Sequence, residues 1–121
     1  MMKAFPSSDI IGIGLGGNEI KGPCNLFGPV FVQAHKDGFH AVAHAGEDAG
    51  PESIWDAVKI LHSERIGHGI TAVQDKELME YISKNKIPLE ICPTSNVFTK
   101  KYVKTMSEHP VRQLYDNGVL V

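Results

Sequence analysis

Apolar residues along this chain follow two alternating spacings, a period of two and a period of roughly 3.6. Asp9–Gly16, DIIGIGLG, reads as a buried strand with Ile11, Ile13 and Leu15 on one face and Ile10, Gly12, Gly14 and Gly16 on the other. NEIKGP is a loop punctuated by Gly22-Pro23. From Leu26 to Lys36 the residues Phe27, Val30, Phe31 and Ala34 form one helical face, and Gly38 fits just past its end. FHAVAHAGE, Phe39–Glu47, alternates again as a second strand. GPESIWDAVKILHS predicts a helix with Pro51 near its first position, Glu52 in its first turn and a stripe of Ile54, Trp55, Val58 and Leu61. ERIGHG is a short third strand, and Asp75 is a good N-cap for DKELMEYISKN, which buries Leu78, Met79 and Ile82. PLEICPTSN, Pro88–Asn96, reads as a fourth strand running into a polar turn. SEHPVRQLYDNG is a helix stopped by Gly118, and GVLV begins a fifth strand.

Four strand–helix repeats and a strand stub imply an α/β fold, a parallel sheet with crossover helices. No linker or repeat divides the chain, so residues 1–121 read as a single domain.

The literal Gly12-x-Gly14-x-x-Gly17 invites a dinucleotide fingerprint. That reading requires the third glycine to open a helix, and here Asn-Glu-Ile-Lys-Gly-Pro follows. Glycines alternating on one strand face instead mark a face kept clear of side chains, for close backbone packing or for a ligand.

Every predicted strand ends in small or polar residues: Gly16-Gly17-Asn18-Glu19, His44-Ala45-Gly46-Glu47, Gly67-His68-Gly69 and Cys92-Pro93-Thr94-Ser95-Asn96. A parallel sheet gathers these ends on one side, where α/β active sites form. A neutral imidazole at His44 can bind a metal, with the Glu47 carboxylate moving protons beside it; the competing reading is a hydrogen-bonded core histidine and a capping or solvated acid. His68, between glycines, is either an accessible site imidazole or a turn histidine. His40 shares a face with His44 but lies deeper, and reads as a buried, satisfied histidine. His35, His62 and His109 read as surface residues of helices. Cys92 at a strand end reads as packing, since no histidine adjoins it to activate a thiolate.

Composition narrows the classes. The formal net charge is -2 with no basic block, which speaks against nucleic acid and anionic membrane as partners. Two cysteines without a CxxC favour a reducing compartment over a disulfide framework. No apolar run approaches the roughly 20 residues that span a bilayer, and MMKAFPSSD lacks the apolar stretch of a leader, so a cytoplasmic location is expected.

Four segments in order resemble the adenosine deaminase family: GIGLGGNE (GxxLGGNE), HAGEDAGPESIWDAV, RIGHG and CPTSN, with HPVRQLYDNGVLV resembling the helix and strand before the family's Asp-Asp-Pro motif. The resemblance covers nearly the whole chain. It implies a TIM (β/α)8 barrel holding one zinc ion, and hydrolytic deamination of adenosine or deoxyadenosine to inosine and ammonia in purine salvage. By similarity His44 is a zinc ligand, Glu47 donates a proton to ring nitrogen 1, His68 orients the attacking hydroxide, and Gly17 offers its backbone N–H to the purine. Glycine there would leave room for a flat base.

The chain also departs from the family pattern. Gly14 replaces an acidic residue, and Asn18 replaces the Asp of the family's Gly-Asp-Glu. Gly67 and Thr94 resemble the nucleoside branch rather than the adenine-preferring one. The family's His-x-His pair and Asp zinc ligand have no counterpart, whereas a catalytic zinc site keeps about three protein ligands. A barrel of this type needs about 250 residues. The expectation is a partial chain, about half a barrel, with an incomplete zinc ligand set, inactive alone and prone to self-association through exposed barrel edges. Other readings are an adenine or N6-methyl-AMP deaminase of the same superfamily, and a non-catalytic βα module that binds nucleotides or a partner.

Overall fold

A computed structural model describes residues 9–121; most of the N-terminal stretch read above for a leader lies outside them. Among the described residues the strands are β1 (Gly12–Leu15), β2 (His40–Ala45), β3 (Arg65–His68) and β4 (Leu89–Glu90). They form one sheet in the order β1-β2-β3-β4, every neighbouring pair parallel. The helices are α1 (Gly28–Lys36), α2 (Pro51–Lys59), α3 (Lys76–Lys84), α4 (Pro93–Thr99) and α5 (Val111–Asp116). The predicted βα alternation is therefore present, and the carbonyl of Leu120 accepts from Leu89 N–H at 2.9 Å, which lays the predicted stub alongside β4.

The local signals act as their chemistry requires. Pro51 opens α2, where a missing N–H costs nothing. Asp75 caps α3, its Oδ1 accepting from Leu78 N–H at 3.0 Å, and its Oδ2 accepts the indole N–H of Trp55 at 2.9 Å. Gly38 ends the α1 turn with φ 85°. The fourth strand is shorter than predicted. Pro93 supplies no N–H to a ladder and instead takes the first position of α4, so residues after Glu90 leave the sheet. Likewise α5 is shorter than Ser107–Gly118, because Met106–Glu108 forms a separate 3-10 turn ahead of Pro110.

The two faces of the sheet differ. In register, Ile13 pairs with Ala41, Leu15 with Ala43, and Ala43 with Ile66. This face packs on the helices: Ala41, Ala43, Ala45, Ile66 and Leu89 are buried against Phe31, Ile54, Val58, Leu61, Leu78, Ile82 and Leu114. Alanines on β2 let the helices approach closely.

The opposite face carries Gly12, Gly14, His40, Val42, His44, Gly67 and Glu90, paired at matching registers. A recess of about 620 Å³ lies over its lower half, bordered by Gly12, Gly14, His40, Val42, Arg65 and Glu90. His40 is exposed there, not buried as expected. Its register partner Gly12 has no side chain to cover it, and the imidazole turns to Glu64 at 2.8 Å. The glycines of β1 serve two ends. A Cβ on Gly12 would lie 2.7 Å from the carbonyl oxygen of His40, so close backbone packing explains it, whereas a Cβ on Gly16 or Gly17 would meet nothing within 4 Å. No helix opens at Gly17, which removes the dinucleotide reading.

The fold predicts unequal costs for two isoleucines. Ile66→Ala, at a fully buried position, should lower the unfolding free energy by about 2–5 kcal/mol. Ile11→Ala, 71% exposed in this chain, should change it by less than about 0.5 kcal/mol. Urea denaturation measures both, and equal costs would contradict the burial of Ile66 and the exposure of Ile11.

Candidate functional site

The polar ends of β1, β2, β3 and β4 converge on a turn built around one buried carboxylate. Beyond β1 the chain reverses: Gly17 has φ 109°, and the Asn18 side-chain oxygen accepts from the N–H groups of Ile20 and Lys21 at 3.1 and 2.9 Å. Asn18 is thus an internal loop cap. Next to it Glu19 turns inward and is 6% exposed. Its Oε1 accepts from the N–H groups of Glu47 and Asp48, at 2.8 and 3.1 Å. Its Oε2 accepts from Gly46 N–H, Ala49 N–H and Ser53 Oγ, at 2.8, 3.3 and 2.9 Å. The turn after β2 therefore wraps a carboxylate with its own amides, a backbone nest. Burial pushes the Glu19 carboxyl up, but the His44 imidazole and the N–H groups of Asp48, Glu47 and Gly46 outweigh this and hold it at about 2.

Gly46 makes the turn possible. Its φ is 74°, and a Cβ there would lie 2.5 Å from Ile54 Cδ1. The turn then presents Glu47, 4% exposed, to the site. Glu47 Oε1 accepts from Ser95 Oγ at 3.0 Å and from Asn96 Nδ2 at 2.9 Å. Its Oε2 lies 3.4 Å from His44 Nε2.

His68 arrives by a different device. Strand alternation would point it with Ile66 toward the helices, since it pairs with Ala45. Its φ of 67°, followed by Gly69 at 69°, breaks that alternation. The imidazole lies with its centroid 4.5 Å from that of His44 and its Nδ1 3.3 Å from Glu47 Oε1. Burial lowers the His68 pKa, whereas the Glu19 carboxylate raises that of His44.

The ligand atoms of His44, Glu47 and His68 all lie within 4.8 Å of one another. His44 Nε2 is buried and makes no directed hydrogen bond, although Glu19 Oε1 is 3.1 Å away. An uncommitted imidazole nitrogen facing two carboxylates fits a cation, and its donor set of nitrogen and carboxylate oxygen fits zinc.

The three side chains singled out as site candidates therefore meet, and Gly17 lies at the same end of the sheet, two residues before Glu19. Sequence reasoning missed four partners. Glu19 was visible only as one polar residue in a strand end, and Ser95 and Asn96 as a polar turn. His109 is buried rather than a surface helix residue, because it precedes α5 and its Nε2 reaches Asn96 Oδ1 at 3.0 Å. His35 is half-buried on α1, with Nε2 2.9 Å from the Leu61 carbonyl, and His62 lies exposed beyond the end of α2. Cys92 is exposed, not packed, since the chain leaves the sheet before it; its thiol meets only the Glu90 carbonyl, at 3.4 Å.

Glu19→Gln places an amide NH2 among N–H donors and should cost on the order of 2–3 kcal/mol of stability. The folded pKa of Glu19 lies below its ordinary 4.5, so its contribution is present above pH 4.5 and disappears as pH falls toward 2. Denaturation of both proteins across that range should show the gap closing; a gap independent of pH would show that the charge of Glu19 does not carry it.

The adenosine deaminase family model matches residues 1–121. An aminodeoxyfutalosine deaminase of Streptomyces avermitilis is 46% identical over 112 residues, 93% of this chain and 31% of that protein. An adenosine deaminase of Klebsiella pneumoniae is 47% identical over 111 residues, 92% of this chain and 33% of that protein. A zinc-bound amidohydrolase of Burkholderia ambifaria superposes with a TM-score of 0.87 at 30% identity, over 98% of this chain and 33% of that one. The chain thus spans about a third of the length of the curated relatives it matches, and its four parallel strands are part of a (β/α)8 barrel. With the family model matching the chain from end to end, the chain belongs to the adenosine deaminase family.

Proposed function

We propose that this chain, as one partial barrel domain over residues 1–121, contributes the proton-handling part of a zinc-dependent purine deaminase that converts adenosine or deoxyadenosine to inosine and ammonia in purine salvage. The observation that carries the reading is the meeting of His44, Glu47 and His68 within 4.8 Å. Water adds at carbon 6 of the purine, the bond from carbon 6 to the amino nitrogen breaks, and ammonia leaves. When bound, zinc would supply Lewis-acid activation of the water near neutral pH.

The chain's own residues divide the remaining work. His44 offers Nε2, which faces the carboxylates of Glu19 and Glu47, as a zinc ligand. Glu47 is the proton donor to ring nitrogen 1. Its Oε1 is occupied by Ser95 and Asn96, which leaves Oε2 to carry the proton. His68 orients the attacking oxygen, and Gly17 provides a backbone N–H to a flat base, at a position where a Cβ would meet nothing within 4 Å in this chain. In this reading His44 is one ligand of the ion, and the other strands of the barrel supply the rest. The free thiols of Cys24 and Cys92 agree with a cytoplasmic setting, and no helix of the described residues is long and apolar enough to cross a membrane. The uncovered inner face of the sheet supports association with a second copy or with the remaining barrel strands.

A second reading, of the same chemistry on a different substrate, rests on the 46% identity to an aminodeoxyfutalosine deaminase. Adenine and N6-methyl-AMP are the other substrates to compare. Ultraviolet spectra should show turnover of adenosine or aminodeoxyfutalosine when the chain is supplied with zinc and flanking strands that complete the ligand set. Glu47→Gln should lower kcat by about 100-fold or more. Undiminished turnover by that variant, or no turnover of any purine in the completed protein, would overturn the proposal. Turnover by the isolated chain would instead show that its ligand set is complete.

A further inference from the structure

We infer that His109 and Asn96 form a hydrogen-bond relay that holds His68 as the neutral tautomer protonated on Nε2, which makes both of them positioning residues of the site.

The direction of each link follows from the one before. The relay starts at a backbone amide, which can only donate: Val111 N–H lies 3.2 Å from His109 Nδ1. That nitrogen must therefore present its lone pair. Burial disfavours the charged imidazolium at His109, so its single proton is on Nε2. His109 Nε2–H donates to the end of the Asn96 side chain 3.0 Å away, which fixes that end as the oxygen. The other end is then the NH2 group, with two hydrogens. It has two neighbours, Glu47 Oε1 and His68 Nδ1, each at 2.9 Å. Two hydrogens meet two acceptors, and His68 Nδ1 accepts; its 3.3 Å approach to Glu47 Oε1 is that of two acceptors sharing one NH2 group. The proton of the neutral His68 ring is thereby on Nε2.

The site gains a defined polarity. Asn96 is fully buried, so a reversed amide would face the NH2 group toward a donor, set its oxygen against Glu47 Oε1 and leave His68 Nδ1 without a donor. His68 then has one free ring function, an Nε2–H donor. It can hold and stabilise an oxygen but cannot take a proton from it, which leaves Glu47 as the group that carries protons. This consequence for catalysis rests on the deaminase reading; the tautomer itself does not. His109 also ties the start of α5 to the site, so an element remote in sequence sets the donor pattern of a residue at the end of β3.

The test is a long-range proton–nitrogen NMR spectrum of the histidine rings of the 15N-labelled chain, without metal or substrate. It should show His68 and His109 each with a bare Nδ1 and a protonated Nε2. His109→Phe removes the donor and frees the Asn96 amide to rotate, so His68 should shift to averaged tautomers. His109→Gln restores an amide donor at that position and should keep the wild-type pattern. A His68 ring protonated on Nδ1, or already averaged in the unaltered chain, overturns the relay, as does an unchanged His68 pattern in His109→Phe. If the Phe variant does not fold, the spectrum of the unaltered chain decides. Failure here leaves the purine assay untouched, and failure of that assay leaves the tautomer in place.

Discussion

A buried carboxylate must be repaid for its lost hydration, and in this chain the repayment comes from the turn that carries the site. Glu19 takes four backbone N–H groups and one hydroxyl. Those groups come from consecutive residues 46–49 and from the first turn of α2. The requirement reaches in both directions. Upstream, the loop after β1 must reverse through Gly17 and the Asn18 cap to deliver the carboxylate. Downstream, Gly46 must adopt a left-handed backbone against Ile54, which only glycine does without collision. Thr71 closes the turn from the third βα unit, its hydroxyl near the carbonyls of Gly46 and Ala49. One charge thus connects three βα units at the end of the sheet where Glu47 is presented.

The sheet separates stability from chemistry. Its outer face is alanine, isoleucine and leucine packed on helices. Its inner face is glycine, histidine and acid, with little packing of its own in this chain. Groups that would be costly in a core gather where strands end and the backbone can bend. His68 shows the mechanism most clearly, because a single left-handed residue turns a side chain destined for the helices toward the site. Asn96 then satisfies the polar groups so gathered, joining Glu47, His68 and His109 in one buried network. Such a network specifies one arrangement only when every member has a partner.

Much of this was legible in the sequence. Alternation along FHAVAHA and the capping signals at Pro51, Asp75 and Gly38 act locally, so the strands, helices and their order could be read directly. The HAGE and RIGHG strand ends pointed to His44, Glu47 and His68, which meet as expected. What was not legible depends on long-range contact or local geometry. The burial of His109 comes from Asn96, 13 residues away on α4. The exposure of His40 follows from a glycine across the sheet. The end of β4 was overrun because ICPTSN looks extended until Pro93 is read as a helix start. Glu19 carried no signal of its own, since nothing local distinguishes an acid aimed at four amides from one in solvent.

The amides of residues 46–49 are held by Glu19 rather than by solvent. Residue-resolved hydrogen exchange of the chain tests it most directly. Gly46, Glu47, Asp48 and Ala49 should exchange slowly, as protected as the amides of the β2–β3 ladder, despite lying in a turn. Exchange of these four at the rate of an open loop would contradict the account, because the site would then have no fixed turn to stand on.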